Sequence, residues 1–204
     1  MSALPEETAA PPSAVAVKAP GSAFFSCYRG PERTRAVAAL LAGSSLLVVG
    51  GPGIGKSALA CFIAADLRER GFTAALVSPR TAKQVMLDLA GQLSLGASAL
   101  DGRGCSTAQL QDAVASELAR RPAFLLFDDA HRLPASLRAW LEGLLAEGRG
   151  MALFATHPPR RDIFLKLGRI ELRPLDRGPI REIMRAAAMD LGLALDSSRL
   201  ARGL

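Results

Sequence analysis

The stretch VVGGPGIGKSAL, Val48 to Leu59, sets Gly50, Gly51, Pro52, Gly53 and Gly55 between two apolar runs and follows them at once with Lys56 and Ser57. Gly50 to Ser57 fits G-x-x-x-x-G-K-[ST]. The strand-length run Leu46–Val49 precedes it, and Leu59, Ile63 and Leu67 follow at helical spacing. That context predicts a phosphate-binding loop. Its glycines let the backbone wrap so that successive N–H groups face one concavity, which a phosphate chain fills. A helix starting near Lys56 adds its positive end. The candidate cradle is Gly50, Gly51, Pro52, Gly53, Ile54, Gly55, Lys56, Ser57 and Ala58. Lys56 is placed to reach the β- and γ-phosphates of a nucleotide, and the Ser57 hydroxyl to sit on Mg²⁺.

A second motif lies about 70 residues on, at Phe124-Leu-Leu-Phe-Asp128-Asp129. An apolar strand ending in an acid, downstream of a phosphate loop, predicts a metal-side carboxylate at Asp128, acting through water. Asp129 stands where an acid could orient an attacking water, or could cap the next turn.

Working outward, apolar runs and helical periodicities alternate. Pro31–Leu41 reads as a short helix with Val37, Leu40 and Leu41 on one side. Phe72–Ser78 reads as a strand and Thr81 to about Leu95 as a helix. Gly96 to Cys105 reads as a loop. Ser106 and Gln109 form a capping box before a helix carrying Leu110, Val114 and Leu118. Ala123–Phe127 and Met151–Ala155 are further strands, with a helix from about Pro134 between them that turns Leu137, Trp140, Leu141, Leu144 and Leu145 inward. Arg169–Leu172 is a fifth strand, and Arg177–Leu191 is a helix outside the sheet. Alternation of this kind implies α/β architecture, with a mostly parallel five-stranded sheet covered on both faces. Residues 1–22, rich in Ala, Pro, Ser and Glu, read as a disordered tail, 23–173 as the core and 174–204 as the start of a helical lid.

Composition narrows the classes. Half of the 204 residues are hydrophobic, enough for a sizeable core. The net charge is +6 and 21 of the 25 basic residues are Arg, which permits a polyanionic partner without requiring one. Cys27, Cys61 and Cys105 are far apart and form no zinc pattern, as expected of reduced thiols in a cytoplasm. The twenty uncharged residues from Ala36 to Gly55 have the length of a membrane span, but five glycines, Ser44-Ser45 and Pro52 fit a helix–turn–strand–loop reading better. The N-terminus, with Glu6 and Glu7, has no signal-peptide pattern.

GGPGIGKSALA and FLLFDDAHRL together resemble the AAA+ and STAND branches of the P-loop ATPases. YRGPERTRAVAALLAG is similar to the box that opens those domains, Phe154-Ala-Thr156-His157 to their fourth strand, and LRPLDRGPIREIMRAAA to the link into their lid. The resemblance implies a three-layer α/β/α core, ATP and Mg²⁺ as ligands, and ATP hydrolysis. It makes Thr156 a γ-phosphate sensor beside catalytic Lys56 and Asp129. It also places adenine near Phe24, Phe25 and Tyr28, with Ser57 and Asp128 on the metal side. Many AAA+ members have Glu where this chain has Asp129. One methylene less draws the carboxylate back by roughly 1.5 Å, which implies slow turnover. The STAND branch commonly carries two Asp there and works as a nucleotide switch, so the resemblance favours that branch. The lid is truncated relative to the family.

Three functions follow as expectations. The first is an ATP-hydrolysing conformational switch, its partner itself or a protein effector. The second is a DNA-linked ATPase of the replication-initiator or transposition-helper kind. The third is a nucleotide-dependent scaffold with negligible turnover. A small-molecule kinase is a weaker fourth, because Arg160, Arg161 and Arg169 make a poor mobile lid. One of Arg160 and Arg161 could instead act on a neighbour's nucleotide, while His131 and His157 read as turn and loop residues.

Overall fold

The computed structural model describes residues 27–95 and 105–190. The tail, Phe24, Phe25, most of the 96–105 loop and lid residues 191–204 lie outside the described residues. The elements in chain order are α1 (Gly30–Leu41), β1 (Leu46–Val49), α2 (Lys56–Glu69), β2 (Thr73–Val77), α3 (Ala82–Gln92), α4 (Thr107–Arg120), β3 (Ala123–Phe127), α5 (Ala135–Ala146), β4 (Met151–Ala155), β5 (Gly168–Glu171) and α6 (Arg177–Asp190). Short 3₁₀ turns lie at Ala130–Arg132 and Asp162–Leu165. Among the described residues no helix is long and apolar enough to cross a membrane.

The five strands form one all-parallel sheet in the order β2-β3-β4-β1-β5. A parallel sheet is covered on both faces, so its strands are nearly all apolar. β1 and β4 are buried throughout. Leu46 and Val48 join α1 and α2 in one core layer with Phe154 and Ile170. Leu47 and Val49 face the other layer, built with α3, α4 and α5. This is the three-layer α/β/α core expected of the sequence.

Local signals fix the helix ends. Ser106 Oγ accepts from Gln109 N at 3.2 Å while the Gln109 side chain accepts from Ser106 N at 2.8 Å, the reciprocal box at the start of α4. Thr81 caps α3 by accepting from Gln84 N. Three side chains depart from the pattern. Leu41 is exposed, because α1 ends there and its last residue passes beyond the sheet. Trp140 and Leu145 pack against the core from its rim and are only partly buried.

Topology places the motifs. β4 lies between β1 and β3, so the loops after β3, β4 and β1 sit side by side at the carboxyl edge, where open α/β sheets bind ligands. Val49 pairs with Ala155 and Phe127 with Leu153. Asp129, two residues past Phe127, therefore rises to the level of Ala155 and Val49.

Candidate functional site: a phosphate-sized cradle at the carboxyl edge

The loop from Gly50 to Gly55 turns straight into α2, whose N-terminal cap, Gly55, has φ +94° and offers no capping side chain. The first N–H groups of α2 thus lack a side-chain acceptor, and no acidic residue sits in its first turn. That leaves the helix's positive end available to an anion. Two glycines here are dictated by space. A Cβ on Gly50 would stand 2.8 Å from Ile54 Cγ2 and 3.1 Å from Leu172 Cβ. A Cβ on Gly55 would collide with the Tyr28 hydroxyl.

Lys56 is buried, and its Nζ donates to Gly50 O at 3.0 Å and Gly51 O at 2.9 Å. The ammonium is thus held by the carbonyls of its own loop. A cavity of about 330 Å³ opens beside it, lined by Pro52, Gly53, Gly55, Lys56, Ser57, Asp129 and Thr156. Three separate chain segments therefore bring a cation, two hydroxyls and a carboxylate to one space. A larger cleft of about 480 Å³ lies beside β2 and α3, but it has neither the loop nor the helix terminus, so volume does not mark the site.

Asp128 ends β3, its N–H donating to Val77 O at 2.9 Å and its Oδ1 accepting from Asp129 N at 2.9 Å. Asp129 has φ +49°, a left-handed conformation that a short polar side chain tolerates. Asp129 lies on the cavity wall, whereas Asp128 is not among the residues that line it. Desolvation first, and the Asp128 carboxylate second, push the Cys61 thiol above its ordinary range, with Arg68 opposing. Cys61 lies one helical turn past Ser57 on α2.

Sequence patterns had not exposed two buried arginines. Arg29, 3% exposed, donates from Nη2 to Ile54 O at 2.9 Å and to Arg173 O at 3.0 Å, and from Nη1 to Glu32 at 3.0 Å. Its φ of +45° costs on the order of 1 kcal/mol for a side chain of this size. Arg138 donates to Leu133 O at 2.6 Å and to Asp162 Oδ2 at 2.9 Å. The Tyr28 hydroxyl donates to Gly55 O at 3.2 Å, and its ring packs on Phe62 with centroids 5.0 Å apart. The only advance signal for Arg29 was its place in the YRGPE box. Nothing in the local pattern of α5 marked Arg138.

The remaining candidates scatter. His157 and Arg160 share a cavity of about 270 Å³ with Thr156, Arg169 and Leu165 on the β4–β5 side. Arg161 approaches Asp162 at 3.9 Å. His131 is half-buried in the turn after Asp129 and does not line the cradle.

The sequence profile of the AAA domain family matches residues 41–164, from the end of α1 past the loop that follows β4. The chain belongs to the AAA domain family. Solved structures share this AAA fold. The chain is similar to the ORC1 protein of Aeropyrum pernix in complex with DNA, at 16% identity and TM-score 0.59 over 80% of this chain and 50% of that one. It is similar to AMPPCP-bound DnaA from Aquifex aeolicus, at 16% identity and TM-score 0.60 over 83% and 54%. A STAND protein with a tetratricopeptide repeat sensor from Pyrococcus horikoshii matches at 14% identity and TM-score 0.55, over 83% and 26%. The chain spans about half the length of the ORC1 and DnaA proteins. A search of curated proteins finds no match. At these identities the likeness shows the P-loop AAA+ fold.

Proposed function

We propose that this AAA domain binds Mg·ATP at the β1–α2 loop and hydrolyses it slowly as a conformational switch in the cytoplasm. The observation that carries the reading is the convergence of Lys56, Ser57, Asp129 and Thr156 on one cavity at the uncapped positive end of α2. In this reading Gly50, Gly51, Pro52, Gly53, Ile54, Gly55 and Ala58 contribute main-chain groups around the phosphates. Lys56 leaves the Gly50 and Gly51 carbonyls for the β- and γ-phosphates, exchanging two neutral acceptors for charged ones, which bind it about twice as strongly.

The donor set suits magnesium, which takes one or two protein oxygens and fills its remaining positions with phosphates and water. Ser57 and Asp128 would hold it, and it would supply charge neutralisation at the phosphates. Asp129 orients the attacking water, and Thr156, at the end of β4, hydrogen-bonds near the γ-phosphate. Catalysis is then positioning and electrostatics, with no covalent enzyme intermediate. Residues 174–204, including α6, belong to a helical lid in this reading.

Turnover of the full chain beside Lys56→Ala and Asp129→Ala tests it. Lys56→Ala is expected to abolish both binding and turnover, and Asp129→Ala turnover alone. Unchanged turnover in Asp129→Ala would remove that residue from the chemistry.

A second reading, a DNA-linked ATPase, is favoured by the net charge of +6 and by the likeness to an ORC1 protein solved in complex with DNA. Stimulation by duplex DNA that falls steeply across a salt series would select it. A rate indifferent to DNA selects the switch.

A further inference from the structure

Arg29 touches two segments that lie 119 positions apart in sequence (Ile54 to Arg173), and no other side-chain hydrogen bond among the described residues joins the phosphate loop to the stretch after β5. The stretch is short. Five residues, 172–176, separate β5 from α6, and Pro174 stiffens them by fixing its own φ. Leu172 N donates to Val49 O at 2.7 Å, and Leu172 packs where a Cβ on Gly50 would stand. Ile54 fills the same space from the other end of the loop, its Cγ2 against Gly50. The beginning of the phosphate loop thus lies against Leu172, and its end, packed on Gly50 by Ile54, is tied to Arg173 through Arg29. Ile180 N bonds Asp176 O, so α6 grows directly out of the linker. A displacement at Arg173 has little slack in which to be absorbed before it reaches α6.

Resting on the nucleotide reading above, we propose that Arg29 is a positioning residue that joins the phosphate loop to the linker of α6, so that filling the loop is felt at α6. The guanidinium fits this task because its Nη2 serves both carbonyls at once, while Nη1 is anchored on Glu32 at the start of α1. When Lys56 turns from the loop carbonyls to phosphate, the peptide groups at 50–55 readjust. Ile54 O carries that change to Arg29, and Arg29 carries it to Arg173 O.

The test follows amide hydrogen exchange of the full chain, with and without saturating Mg·ATP, alongside Mg·ATP titration calorimetry. In the wild type, nucleotide is expected to slow exchange at both 53–58 and 173–180. In Arg29→Ala the dissociation constant rises about tenfold. At a concentration that still saturates, slowing persists at 53–58 and is lost at 173–180. Glu32→Gln keeps both carbonyl bonds and stays within about twofold of wild type. A melting temperature lowered in Arg29→Ala with the response at 173–180 intact would mean a merely structural arginine and overturn the proposal. If Arg29→Ala does not fold, Arg29→Lys carries the same comparison, with a weakened response at 173–180 expected and an unaltered one contradictory. A wild type that binds no Mg·ATP would defeat the nucleotide reading separately. The nucleotide-free chain still decides on the joint, because loss of Arg29 must speed exchange at 53–57 and 172–176 together, and speeding at one alone refutes it.

Discussion

Arg29 and Arg138 are both buried, both give one donor to a carboxylate and others to main-chain oxygen, and both hold a loop at the carboxyl edge of the sheet. They differ in what they hold. Arg29 grips the phosphate loop itself, at Ile54 O. Arg138, from α5, grips Asp162 and Leu133. Those residues bracket the two segments that carry Asp129 and Thr156 on their near ends. One arginine therefore acts on the part of the cradle that binds, the other behind the parts proposed to react. The comparison teaches that the candidate site rests on two separate supports, so that in the proposed reading affinity and turnover are expected to be separable by mutation.

The strongest way to sharpen that contrast is Asp129→Asn. It is expected to lower turnover by about 100-fold, the low end for loss of a positioned acid–base group, with the Mg·ATP dissociation constant unchanged in calorimetry. A parallel loss of affinity would show that the two halves of the cradle are not separable. Next in size is Arg138→Ala. Losing a hydrogen-bonded charge is worth about 1.5–3 kcal/mol, and the partly exposed Asp162 side chain (39%) pulls the figure toward the lower end. Denaturant unfolding should show a stability loss of about 2 kcal/mol, and calorimetry a nucleotide affinity close to wild type. An affinity loss matching that of Arg29→Ala would erase the distinction between the supports.

The smallest effect concerns Asp128, the carboxylate proposed for the metal side. Desolvation and, second, the Asp128 charge hold the Cys61 thiol high, so less of it is thiolate at pH 8 than in an ordinary cysteine. Asp128→Asn removes a raising charge and lowers that pKa. Cys61 should then alkylate faster at pH 8, with the difference closing at pH values above both pKa values, where each protein is fully thiolate. Equal rates at pH 8 would place the Asp128 charge away from Cys61.

Strands β1 to β4 were legible almost to the residue because each is a short apolar run, and strands buried on both faces show no alternation to obscure it. The edge strand β5, Gly-Arg-Ile-Glu, buries only Ile170. The phosphate loop was legible because its chemistry needs glycines at fixed spacing. Strand order was not, since the insertion of β4 between β1 and β3 is a non-local fact that no run of residues encodes. The buried arginines were hidden for a related reason. Periodicity sorts side chains by hydropathy, and Arg29 and Arg138 are polar groups buried only because distant carbonyls and carboxylates meet them. Leu41 erred in the opposite sense: it falls one residue past the last inward position of α1, where the apolar pattern continues but the sheet does not. Of the site, Lys56, Ser57, Asp129 and Thr156 were foreseen and share one cavity, whereas the clasp that shapes the loop, Tyr28 and Arg29, became readable only with the fold.

The central claim is that the concavity between β1 and α2 is built for a triphosphate. Titration calorimetry of the full chain with Mg·ATP addresses it without reliance on turnover, partner or DNA. Saturable heat at one site per chain, abolished in Lys56→Ala while the variant keeps its wild-type far-ultraviolet dichroism, is the predicted result. A folded wild-type chain that releases no heat, or a Lys56→Ala chain that binds as tightly as wild type, would contradict it.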